Sequence, residues 1–144
     1  MKFFVAAVLL LLAACNDDYA EEYQSAPMDA ALWAAVQESW VANGFPEPGE
    51  ACTTPTEVVG DAELMAEMCD PDSLGCELHG QVFILDGRPE LETRKTRAHE
   101  MAHWLVECTC AASQQENLDH SIPGIWRPTT AFANYVIKPW AQVQ

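Results

Sequence analysis

Four histidines stand in this 144-residue chain, and two of them fall in one short string, Arg97-Ala98-His99-Glu100-Met101-Ala102-His103-Trp104. Histidines four apart on a helix project from one face, one turn above the other. Two imidazoles so placed can grip a single Zn²⁺, while a glutamate directly after the first histidine stands beside the ion without binding it. Such a set suits metal-assisted hydrolysis, with Glu100 moving a proton. A third ligand has to come from further along the chain. His120, seventeen residues after His103, is favoured, with Asp119, Glu116 and Glu107 as the other candidates.

The helix that carries the pair must hold both histidines away from the core. At about 100° per residue, His103 falls about 40° from His99 and Glu107 about 80°, while Ala98, Met101, Ala102 and Leu105 gather on the far arc. The pattern predicts an amphipathic helix with its histidines facing a cleft. Glu107 and Asp119 are candidates to orient a ligand from behind. His79 reads as a structural histidine or a pocket donor, and His79, Tyr135 and Tyr23 are the available donors for a developing oxyanion.

Around that helix the coarse elements follow from periodicity and punctuation. Met28 to Asn43 reads as a helix, with Leu32, Trp33, Val36 and Trp40 at helical spacing and Asn43-Gly44 as the stop. Thr56 to Val59 reads as a short strand, and Asp61 as the cap of a helix over Ala62–Met68 with Leu64, Met65 and Met68 inward. Residues 69–76 form a turn-rich loop between two cysteines. His79 to Gly87 has the strongest strand character, and Val82–Leu85 is the best stretch to line up a peptide. The motif helix runs from Pro89 to about Cys110, residues 112–127 form a loop, and a last helix spans Thr130 to Ile137.

The first residues read as a leader. A short apolar run, Phe3 to Leu12, follows Lys2 and ends in Leu12-Ala13-Ala14-Cys15. That string resembles the lipobox of bacterial lipoproteins, which implies cleavage before Cys15 and acylation of the new terminus. More than one acyl chain gives stable anchoring in a membrane. On this reading residues 1–14 are a signal peptide, 15–27 an acidic tether and 28–144 the folded domain. The protein then sits in the bacterial cell envelope, facing the periplasm or exterior.

Secretion puts the cysteines in an oxidising space. Six cysteines less Cys15 leave five, so one thiol stays unpaired. Cys69 and Cys76 flank a Pro/Gly turn and pair most easily. Cys52 can reach Cys108 or Cys110, and Cys108 is favoured because it falls on the core arc of the wheel. Lys+Arg is 7 against Asp+Glu 22, a net charge of -15, and so acidic a chain repels phosphate backbones. No nucleic-acid partner is expected.

The string His99-Glu100-Met101-Ala102-His103 is similar to the active-site helix of the zincin metallopeptidases. The resemblance covers the residues around His99–His103 directly. It implies an α+β domain, with the active-site helix packed on a short sheet and additional helices at both ends. It further implies Zn²⁺ on His99 and His103, Glu100 as general base, and a peptide or protein substrate. The metzincin extension would need glycine at Val106 and histidine at Thr109, and neither is present. The sequence around Asp119-His120-Ser121-Ile122-Pro123-Gly124-Ile125-Trp126 looks like the loop of small bacterial lipoproteins that pair H-E-x-x-H with a later histidine. The alternative is a non-catalytic zinc-binding envelope lipoprotein, a structural or interaction module.

Overall fold

The structure, a computed structural model, describes residues 24–126. The leader, Cys15, the tether up to Tyr23, the helix expected over Thr130–Ile137 and Tyr135 lie outside the described residues. Ala26–Pro27 (β1) already pairs with the sheet, so the chain joins the fold before residue 28.

Helix α1, Ala30–Ala42, starts two residues later than its apolar pattern begins, because the Asp29 side chain accepts from Ala31 and Leu32 N–H. At its end Gly44 takes a left-handed φ of 84°, and Gly44 and Phe45 N–H close back onto Val41 and Trp40 carbonyls. The Phe45 ring stacks on Trp40 across this turn.

Strand β2, Thr56–Gly60, leads into α2, Ala62–Met68, which Asp61 caps as expected. Two strands follow, not one: β3 is Gly75–Leu78 and β4 is Gln81–Leu85. His79 and Gly80 join them in a two-residue turn, both at positive φ (51° and 87°), the geometry that matches strand twist in a tight hairpin. His79-Gly80 is thus turn rather than strand. The sheet order is β1-β2-β4-β3, with β2 and β4 parallel and the outer pairs antiparallel.

Helix α3, Glu90–Thr109, is the motif helix, with Glu90 and Glu92 in its positive first turn. It packs on one sheet face with α1 behind it. Leu32, Trp33, Val36 and Trp40 meet Ala98, Met101, Ala102 and Leu105 over Val82 and Ile84. The other sheet face buries Val58 and Phe83 under Leu64 and Met65 of α2, with Met68 half-buried at the edge. The fold is α+β, as the sequence implies.

Two disulfides brace this frame. Cys52–Cys108 ties the end of α3 to the loop before β2, and Cys69–Cys76 ties α2 to β3. On a chain-entropy estimate the first, closing a separation of 56 residues, stabilises by about 4 kcal/mol and the second, closing 7, by about 2–3. Cys110 is free and exposed.

Residues 112–127 are not all loop. Gln114–Leu118 forms α4, capped by reciprocal bonds between Ser113 and Glu116. Ser113-Gln114-Gln115-Glu116 is the S-x-x-E signature of a helix start, legible in the sequence.

Candidate metal centre

His99 and His103 sit one turn apart on α3. His120 joins them because α4 ends in a tight reversal: His120 N–H donates to Asn117 O and Ser121 N–H to Glu116 O. His120 itself takes φ 50°, the left-handed position usually given to glycine. That conformation turns its side chain back toward α3. Histidine tolerates it better than most residues.

The three Nε2 atoms converge. His99 and His103 stand 3.2 Å apart, His99 and His120 3.1 Å, His103 and His120 3.0 Å. A tetrahedral ion with bonds of about 2.0–2.1 Å sets its donors about 3.3 Å apart, close to this triangle. The tautomer of His103 supports the same arrangement. Its Nδ1–H donates to Asn117 Oδ1 at 2.9 Å, which leaves Nε2 as a bare lone pair facing the other two rings. One proton cannot satisfy all three contacts, whereas a cation at the centre can. Among the described residues, this trio is the one group of histidine, cysteine and carboxylate donors close enough to hold a metal ion.

Burial holds the rings neutral. It pushes His99 down to about 3 and His103 down to about 4, with the neighbouring histidines adding to the shift, and it lowers His120 too. Neutral imidazoles are the form that ligates.

Two further residues shape the trio, and the sequence reading assigned neither a role. Asn117 is buried, and its amide clamps His103 from both ends: Oδ1 accepts from Nδ1–H, and Nδ2 donates to His103 O at 3.2 Å. Trp126, also buried, packs against all three imidazoles, with ring centroids 4.5–4.8 Å away. Neither residue type signals its role, since each gains it only when α4 and the following turn fold back on α3.

The other candidates lie elsewhere. Glu107 pairs with the exposed His79 and touches none of the three histidines; the side chain that holds His103 is Asn117. Asp119 accepts from Gln115 Nε2 at 2.8 Å, and Glu116 is taken up in the cap of α4. His79 does not line the cleft that holds the trio, which removes it as an oxyanion donor there.

That cleft has a volume of about 220 Å³ and opens between α3, α4 and β3. Glu100 lines it from α3, only 5% exposed, with no hydrogen-bond partner among the described residues. Burial pushes its carboxyl up to about 8, and the charge of Glu77 adds to this. Gly75 makes the approach possible: a Cβ there would meet Thr96 Cγ2 at 2.6 Å and Glu100 Oε1 at 3.2 Å. The expected substrate strand is also displaced. Val82–Leu85 is paired on both sides, and β3 is the edge strand beside the cleft. Its short Gly-Cys-Glu-Leu sequence lacks the β-branched content that would announce a strand.

No protein-family model matches the chain, nor does any curated protein or solved structure.

Proposed function

We propose that the chain is a zinc-dependent peptidase, anchored in the bacterial cell envelope through lipidated Cys15, that hydrolyses peptide bonds. One observation carries this reading. Three imidazoles converge at 3.0–3.2 Å, with a buried carboxyl that has no hydrogen-bond partner among the described residues on the same cleft, in the residue order of an H-E-x-x-H helix.

His99, His103 and His120 would hold the ion, and three nitrogen donors with an open fourth position are the pattern of catalytic zinc. Zinc bound there supplies a Lewis acid and a water of lowered pKa. Glu100 does the proton work: its carboxylate takes the proton of the attacking water and hands it to the leaving amide nitrogen. A carboxyl raised by burial is a stronger base, once ionised, than a solvated one. Asn117 keeps His103 in the ligating tautomer, and Trp126 closes the back of the site. A structural zinc site usually has four protein ligands and no use for Glu100. The lipid anchor rests on the Leu12-Ala13-Ala14-Cys15 string, and the two disulfides suit an oxidising compartment.

The test is Glu100→Gln in the purified chain. Expected are one equivalent of zinc by elemental analysis in both proteins, peptide hydrolysis by the wild type, and its loss in the variant. Zinc retained without any wild-type turnover would leave the non-catalytic zinc-binding module in its place.

A further inference from the structure

Five acidic residues among the described residues are buried or partly buried: Glu57, Glu77, Glu92, Glu100 and Glu107. Three of them have a basic partner. Glu57 receives Arg97 Nε at 2.7 Å, Glu92 receives Lys95 Nζ at 2.7 Å, and Glu107 meets His79. Glu77 and Glu100 form no ion pair among the described residues, although the charge of His79 acts on Glu77, and both line the cleft of the metal centre. A carboxyl withdrawn from water without a compensating cation is unfavourable, so the two point to positive charge that arrives with ligands. For Glu100 that charge is the metal on the histidines beside it.

Glu77 faces the cleft from the opposite wall, on β3. Gly80 N–H donates to its Oε1 at 2.6 Å, which fixes the carboxyl, and Oε2 has no hydrogen-bond partner among the described residues. No lysine or arginine among the described residues lines the cleft, whose other polar lining includes Asp70, Ser73 and Gln114. We infer that Glu77 is a specificity-determining residue that receives a cationic group of the peptide, an ammonium or guanidinium, bound across the metal centre. This rests on the peptidase reading above and names its substrate class. Burial, with Glu107 adding to it, pushes the Glu77 carboxyl up to about 7 against the Gly80 N–H bond and the charge of His79, so a cation docking there also recovers the stability of the ionised form.

An ammonium can come from a lysine side chain or from a free amino terminus, and three probes separate the two. They are acetyl-Ala-Ala-Lys-Ala-Ala-amide, its norleucine counterpart, and the norleucine peptide with a free amino terminus. Each is titrated calorimetrically into the zinc-loaded full chain, into Glu77→Gln, and into Glu63→Gln, a surface control outside the cleft. At least one cationic peptide should bind about tenfold or more tighter than the blocked norleucine peptide, the scale of one charge-assisted hydrogen bond. That ratio should shrink to about twofold or less in Glu77→Gln and persist in Glu63→Gln, with zinc content unchanged in all three proteins. Equal binding of charged and neutral peptides by the wild type, no binding of either cationic peptide, or a ratio that survives in Glu77→Gln overturns the inference. Charge-selective binding without turnover would sink the peptidase reading and keep the cation site. Turnover without charge preference would do the reverse.

Discussion

Glu57 and Glu77 occupy one row of the sheet. Both register with Val82, Glu57 from the β2 side and Glu77 from the β3 side. Val82 packs into the core beneath α3, so the two glutamates flank the same helix on the same face. On one flank Arg97 reaches down to Glu57 and closes the interface. On the other flank no base among the described residues forms an ion pair with Glu77, although the charge of His79 acts on it, and the space is a cleft bounded by Glu100 and three histidines. The same residue type in the same row serves the fold on one side and lies open to ligands on the other. What separates them is the partner that α3 presents.

The largest expected effect lies on the open flank. His103→Ala should abolish stoichiometric zinc, and His120→Ala should weaken zinc binding strongly, both read by elemental analysis after dialysis. A full equivalent retained by His103→Ala would dismiss the centre altogether. Asn117→Ala comes next: loss of the amide that holds His103 should lower zinc affinity about 10–100-fold in competition with a chelator. Wild-type affinity there would mean that ring packing alone positions the imidazole.

The closed flank should respond in the opposite currency. Glu57→Gln should lower unfolding free energy by about 1–2 kcal/mol in a denaturant titration, between the values for exposed and buried charged partners, and leave zinc affinity unchanged. Glu77→Gln should instead stabilise the metal-free chain, and only above mildly acidic pH. The Glu77 carboxyl is raised from 4.5 to about 7, so the wild type loses stability as pH climbs through that window. The variant should match the wild type below pH 4.5 and exceed it above pH 7 by about 1–3 kcal/mol. Identical pH profiles for the two proteins would erase the contrast between Glu57 and Glu77.

Local signals were legible where one residue type decides the backbone. Asp61 caps α2, Gly44 ends α1, the wheel puts the α3 histidines off the core stripe, and Cys52 finds Cys108. Pairings that cross the chain were not. Strand β3 is four residues without a clear alternation, and it exists because the His79-Gly80 turn folds it onto β4. Helix α4 carries a readable cap but only five residues, too few to show a period. Spacing alone suits Glu107 and Asp119 to orient a ligand, whereas in the fold they pair with His79 and Gln115.

The sequence by itself determined the donors: two imidazoles one helical turn apart, a glutamate between them and a third histidine within reach. Helical periodicity is a property of neighbours, so spacing suffices for it. Only the tertiary structure decided that His120 takes a left-handed turn, that Asn117 and Trp126 seat the rings, and that Glu77 lines the cleft without an ion pair among the described residues. Those depend on how α4 and β3 dock against α3, and docking is settled by packing and hydrogen bonds across long sequence separations. His99-Glu100-Met101-Ala102-His103 names the chemistry available; the fold decides what stands around it.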